Sequence, residues 1–136
     1  MNDYSLRPIG VVESPVTEPN AAPRQGDEGA PDCWVVLDPD VREALDGLRP
    51  GDDIVVITWL HVADREVLQV HPRGDPNRPI RGVFATRSQH RPNPLGLHHA
   101  TILAIDGLRI HVRGLEAIDG TPIVDIKSAL EPRGQR

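Results

Sequence analysis

Two stretches of this chain combine residue types that grip anions or move protons. The first is GVFATRSQHRPNPLGL, Gly82 to Leu97. Arg87 and Arg91 flank a turn that Pro92 and Pro94 bar from becoming helix. Prolines reduce the entropy a loop must lose to hold one shape, so the spacing predicts two guanidinium forks on a stiff platform. Such forks match a carboxylate, a phosphate or a ribose. The Asn93 amide, between two prolines, must find partners outside any β-ladder. The same arginines would also suit a surface loop paired with the chain's many acids.

The second stretch is DGTPIVDIK, Asp119 to Lys127. As one extended strand it would put Asp119, Thr121, Asp125 and Lys127 on one face and Val124 and Ile126 on the other. Gly120-Thr121-Pro122 is expected to bend its start, and an ordinary edge strand with a solvated polar face has the same pattern. A third, weaker candidate is Pro23-Arg24-Gln25-Gly26, inside the proline-rich run from 13 to 31. A loop of that length in a small domain is more often functional than decorative.

Short strands must hold these loops. The spacing predicts strands over 6–12, 33–37, 54–61, 67–71, 83–86, 97–105, 108–115 and 123–126, with Pro8 marking an edge. The segment 54–61, IVVITWLH, reads as central. Asp38-Pro39 opens one short helix through Leu48, which Gly47 and Pro50-Gly51 end. Asp106-Gly107 is a hairpin signal. With 12 Gly, 14 Pro and only four aromatics (Tyr4, Trp34, Trp59, Phe84), the core must be Val, Ile, Leu and Ala. The fold expected for residues 1–136 is one mainly-β domain: a small barrel or curled sheet of seven or eight short strands with one short helix.

Several chemistries are excluded. No G-x-G-x-x-G follows a strand, which removes a Rossmann site, and the sole lysine, Lys127, leaves no phosphate loop. Cys33 is the only cysteine, so no intrachain disulfide forms; it reads as a small buried hydrophobe. His98 and His99, adjacent on a strand, face opposite ways and cannot chelate one ion, so no metal is expected. Trp59 reads as core or dimer interface. No apolar run reaches bilayer length and no signal segment is evident, so the expectation is a reduced, cytoplasmic protein that does not enter a membrane. The net charge of −5 argues against indiscriminate nucleic-acid binding, yet residues 73–91 carry five arginines against one acid, Asp75.

Taken together, GVFATRSQHRPNPLGL and DGTPIVDIK closely resemble the two signature segments of the TrmO (YaeB/TsaA-like, VirR-type) family, and IGVVESP and the PRQ loop fall where that family has like elements. The resemblance implies a β-barrel methyltransferase that uses S-adenosyl-L-methionine in a pocket at a homodimer interface. It further implies methylation of the exocyclic amine of threonylcarbamoyl-adenosine in tRNA. By resemblance, cofactor contacts fall on Arg24, Gln25, Arg87, Ser88, His90, Arg91, Asn93, Leu97, Asp119, Thr121 and Ile123. Catalysis falls on Asp125, Lys127 and Arg87, with Asp125 as proton acceptor or orienting carboxylate. Four features depart from the pattern: Gln89 for Pro, His98 for Ser, Ser128-Ala129 for Pro-Tyr, and an expected lack of the C-terminal region of bacterial members. These departures keep open a small-metabolite acceptor or a non-catalytic sensor of the same cofactor.

Overall fold

Alternating β-branched residues close this chain into a ring. The computed structural model describes residues 3–17 and 32–129. Strands β1 (Gly10–Glu13), β2 (Cys33–Leu37), β3 (Asp53–Trp59), β6 (Leu95–Asp106), β7 (Arg109–Arg113) and β8 (Pro122–Ser128) form a closed barrel in the order β1-β2-β7-β6-β3-β8. Every pairing is antiparallel. Inward positions recur every second residue, as in the BiBiB burial of β2 and eBiBiBi of β3. Val12, Val35, Ile54, Val56, Ile102, Ile110, Val112 and Ile123 expose nothing. Side chains of this size fill so narrow a ring. The aromatic rings stay outside: Tyr4 and Phe84 are exposed, Trp34 and Trp59 half-buried.

Turns and bulges set the phase of each strand. Gly107, at φ 60°, and Leu108 form the two-residue tip closed by the Asp106–Arg109 pair. Positive φ at the first tip residue alone makes it a II′-type turn, one residue later than the dipeptide Asp106-Gly107 implied. Between β3 and β8, Ile57 pairs with Asp125 but Thr58 pairs with Ile123. Val124 is therefore an extra residue, and the bulge reverses which side chains of β8 face inward.

Several expectations need correction. β1 starts at Gly10, after Pro8, and is paired on both sides, so it is no edge. The expected helix is a 3-10 segment, Pro39–Leu45, whose Asp38 makes no side-chain cap. Val41 and Leu45 pack from it onto the core. Residues 83–86 are not a strand: Val83–Ala85 is a 3-10 turn, because the Thr86 hydroxyl and amide both turn back to the Val83 carbonyl. The partner strand 67–71 shrinks to β4 (Gln69–Val70), which pairs with an unforeseen β5 (Arg81–Gly82). Trp59 is on the outer face with the Arg65 guanidinium 5.1 Å from its ring centroid, and is not core. Among the described residues no helix is long and apolar enough to cross a membrane.

Cys33 is buried as expected, with its thiol directed at the Leu115 carbonyl at 3.6 Å. Burial, reinforced by the negative charges of Asp32 and Glu116, pushes the thiol up to about 12 from 9.0. The folded chain thus keeps a proton that the unfolded chain releases. Stability from this group is whole below pH 9.0 and is lost as pH rises toward about 12. At pH 8 the native thiol should react with a maleimide on the order of a thousandfold more slowly than in denaturant, since the thiolate is the nucleophile. Equal labelling rates would show that the thiol is reached without unfolding.

Candidate functional site

The chain leaves the barrel after Trp59 and returns at Leu95, its pairing partner, so residues 60–94 form an arm rooted at one place. The Leu60 amide donates to the Pro94 carbonyl at 2.8 Å, sealing that root. Inside the arm the arginine-proline loop is braced from several sides. Arg91 donates through NH1 to the carbonyls of Ser88 (2.9 Å) and Thr86 (3.4 Å), and through NH2 to that of Val83 (3.2 Å). Its guanidinium is spent on its own loop, so it is a brace and not the outward fork that the sequence implied. Ser88 accepts from the His90 amide at 3.2 Å and donates its own amide to the Thr86 hydroxyl at 3.1 Å. His90 Nδ1 accepts from the Asp64 amide at 2.9 Å, which places the proton of the neutral ring on Nε2.

Asn93 finds its partner in Arg65, which donates to Asn93 Oδ1 at 3.3 Å and to the Pro92 carbonyl at 2.7 Å. Arg65 was missed from the sequence, because nothing local to it signals a contact 28 residues away. Arg87 remains exposed and donates one N–H to the Leu97 carbonyl at 3.3 Å. It lines an open concavity of about 1400 Å³ together with Ser88, His90, Arg91, Leu97 and Thr121.

The late motif does not act as one face. Asp119 accepts from the Ser14 amide at 3.1 Å, and Thr121 folds its hydroxyl onto the Ile118 carbonyl at 2.7 Å. Both tie the turn before β8 together. Ile123 is wholly buried and offers a cofactor no surface. Past the bulge, Asp125 and Lys127 are exposed on the barrel's outer face. By register, Ile57 separates Asp125 from Leu97, and Val55 separates Lys127 from His99. Asn93, Asp119, Ile123, Asp125 and Lys127 do not line the concavity. Arg24 and Gln25 lie outside the described residues. Among the described residues, no three His, Cys, Asp or Glu side chains converge as metal ligands would.

One polar cluster had no forecast. His98, 4% exposed, bonds through Nε2 to the Thr58 hydroxyl at 2.7 Å and through Nδ1 to Glu116 Oε1 at 2.6 Å. Gly96 makes room for it: a Cβ there would sit 2.5 Å from His98 Nε2 and clash with the Thr58 hydroxyl. The only sequence signal was an acid, Glu116, set between the buried Leu115 and Ala117.

Comparison with known proteins gives a consistent result. A probable S-adenosyl-L-methionine-binding protein of Methanothermobacter thermautotrophicus is 44% identical over 129 residues, covering 95% of this chain and 92% of that one. A protein of the same description from Methanocaldococcus jannaschii is 42% identical, covering 91% and 90%. The crystal structure of TrmO from Pseudomonas aeruginosa superposes with a TM-score of 0.77 at 29% identity, over 99% of this chain. The chain spans 60% of that protein's length. The model of the tRNA-methyltransferase O N-terminal domain matches residues 11–132. With the barrel and both signature segments in place, the chain belongs to the TrmO family.

Proposed function

We propose that this protein is an S-adenosyl-L-methionine-dependent methyltransferase acting on the exocyclic amine of threonylcarbamoyl-adenosine in tRNA, or on a related acceptor. The observation that carries the reading is the motif loop, braced by Arg91 so that Arg87 opens into a concavity roomy enough for a nucleoside. The names of the archaeal relatives and the family model support the cofactor and the reaction class.

The residues present fit that cofactor. Arg87 suits its carboxylate, while a guanidinium beside the sulfonium would be repelled, so Arg87 belongs at the periphery. Ser88, His90 and Leu97 supply the polar and apolar walls; Arg24 and Gln25 are cofactor contacts by the family resemblance alone. When bound, the cofactor supplies an electrophilic methyl on sulfur, and the protein's work is alignment. The basic arm, with Arg73, Arg78 and Arg81 exposed, suits a phosphate backbone.

A second copy of the chain completes the site. Leu95 and Leu97, 43% and 45% exposed, join Val55 and Ile57 in an apolar outer face that a homodimer would cover. Asp125 and Lys127 border this face, where they would orient an acceptor and contact its carbonyl or phosphate. Ser128 and Ala129, in place of the Pro-Tyr of the family pattern, favour a small-metabolite acceptor or a non-catalytic sensor as the second reading.

Calorimetry should detect S-adenosyl-L-methionine binding, and labelled methyl should pass to bulk tRNA. Filter binding of tRNA should weaken steeply with salt, by about 0.7–0.9 log units per log unit of salt for each phosphate contacted. Cofactor binding with methyl transfer only to small molecules would replace tRNA as acceptor. No cofactor binding at all would end the proposal.

A further inference from the structure

We infer that Glu116 is the proton acceptor of the methyl transfer, held in place by His98 and Thr58. This rests on the methyltransferase reading above and deepens it. Methylation of an N–H group requires that its proton go somewhere. Two carboxylates line the concavity among the described residues, Asp53 and Glu116. Asp53 is exposed and accepts from the Thr101 hydroxyl at 2.8 Å. Glu116 is shielded, with its side chain 13% exposed beside the 5% of His98.

The chain of contacts has only one self-consistent proton arrangement while Glu116 is ionised and His98 neutral. A carboxylate only accepts, so His98 Nδ1 carries the proton in the 2.6 Å contact with Oε1. Nε2 then accepts from the Thr58 hydroxyl across 2.7 Å. The imidazole is thereby fixed by β3 on one side and by the segment before β8 on the other. Glu116 Oε2 takes no hydrogen bond from a described residue, and Glu116 is one of the residues that line the concavity. The Nδ1–H···Oε1 bond survives protonation at Oε2, so the carboxyl stays put when it gains a proton.

In the step itself, the acceptor nitrogen's lone pair forms the new N–CH3 bond, the S–CH3 bonding pair remains on sulfur, and the N–H proton passes to Glu116 Oε2. Neither oxidant nor metal is needed. Asp125, on the outer face, keeps its orienting role. Among the described residues, His98 from β6 bonds Glu116 directly, and the Cys33 thiol of β2, beside Asp32, is pushed up partly by the Glu116 charge.

The test compares wild type with Glu116→Gln and Glu116→Asp, using labelled S-adenosyl-L-methionine and a whole-cell extract as methyl acceptor. Calorimetric cofactor affinity should stay within about threefold in both variants, while Glu116→Gln loses on the order of 10²–10⁴ in turnover, the worth of a general base. Glu116→Asp, which keeps a carboxylate, should fall between. The wild-type rate should drop at acid pH with a one-proton slope, and that limb should vanish in the residual rate of Glu116→Gln. Unchanged turnover in Glu116→Gln overturns the inference alone. So does an equal loss of cofactor affinity, which would make Glu116 a cofactor contact. Should Glu116→Gln fail to fold, a full-rate Glu116→Asp with a wild-type rate flat down to the onset of acid unfolding overturns it equally. A wild-type protein that transfers no methyl to anything removes the methyltransferase reading, and this inference with it.

Discussion

Replacing Gly10 with alanine is expected to split the barrel at the seam between β1 and β2. A Cβ at Gly10 would run into the Val36 carbonyl oxygen and lie 3.0 Å from Leu37 Cα and from the Val36 carbonyl carbon. All three are backbone atoms in the register partner and its neighbour. No rotamer change relieves them, so one strand must shift. β1 closes the ring by pairing with β8 as well, and a shift disturbs both seams. Overpacking of this kind costs 1–3 kcal/mol and occasionally more. With only backbone atoms to give way the expected loss is about 3 kcal/mol or above, a fall in Tm on the order of 10 °C for a domain of this size. Gly47→Ala is the control. It has nothing within 4 Å, and its only penalty is a left-handed backbone at φ +96, about 1–2 kcal/mol. Thermal unfolding followed by circular dichroism measures both. A Gly10 variant that melts no lower than the control would mean that the two backbones separate at little cost.

Arg87→Ala should act on binding and leave the fold alone. Arg87 is exposed and contributes one long bond, 3.3 Å, to the Leu97 carbonyl, so its removal should lower Tm by no more than a degree or two. A charge-assisted hydrogen bond to a ligand carboxylate is worth about 1.5–3 kcal/mol. The Kd for S-adenosyl-L-methionine should therefore rise about 10–150-fold. If the guanidinium instead holds an acceptor phosphate, the cofactor Kd will not move and the KM for tRNA will rise while the salt slope of tRNA binding falls. Arg91 gives the contrast. Its guanidinium spans three carbonyls of the loop, so Arg91→Ala should loosen residues 83–91 and weaken both ligands together. Were Arg87→Ala to leave both affinities intact, the concavity would not be the binding site.

What could be read without coordinates followed local chemistry. β2 was legible to the residue, because Cys33–Leu37 is an unbroken apolar run and the next residues, Asp38-Pro39, end it. That aliphatic residues make the core was legible from composition, although Trp59 was expected in it or in a dimer interface. The bulge at Val124 was not. It arises because β3 and β8 slip by one residue, and a period of two then puts Asp125 and Lys127 outside while Thr121 and Ile123 stay inside. No pattern within DIK reports that slip. The Arg91 brace was misread for a related reason: a guanidinium on a proline-stiffened turn can reach its own carbonyls as easily as a ligand. Glu116 and His98 were invisible as a pair because their contact depends on β6 being in register with β3, which sets Gly96 against Thr58. A segment such as 83–86, rich in strand-forming types, became a turn once Thr86 folded back on it.

The arm from 60 to 94 begins and ends on a single pair of facing residues, Trp59 and Leu95, in a cylinder that has no free rim. Beyond the Arg87 bond to the Leu97 carbonyl, its length and sequence therefore impose little on the strands beneath it. Insertions, deletions or wholesale exchange of that span should be accommodated without altering the assembly of the cylinder. Evolution can retailor what such a scaffold recognises by editing one contiguous cassette, and a laboratory graft of another family member's arm between these two residues should transplant its preference in the same way.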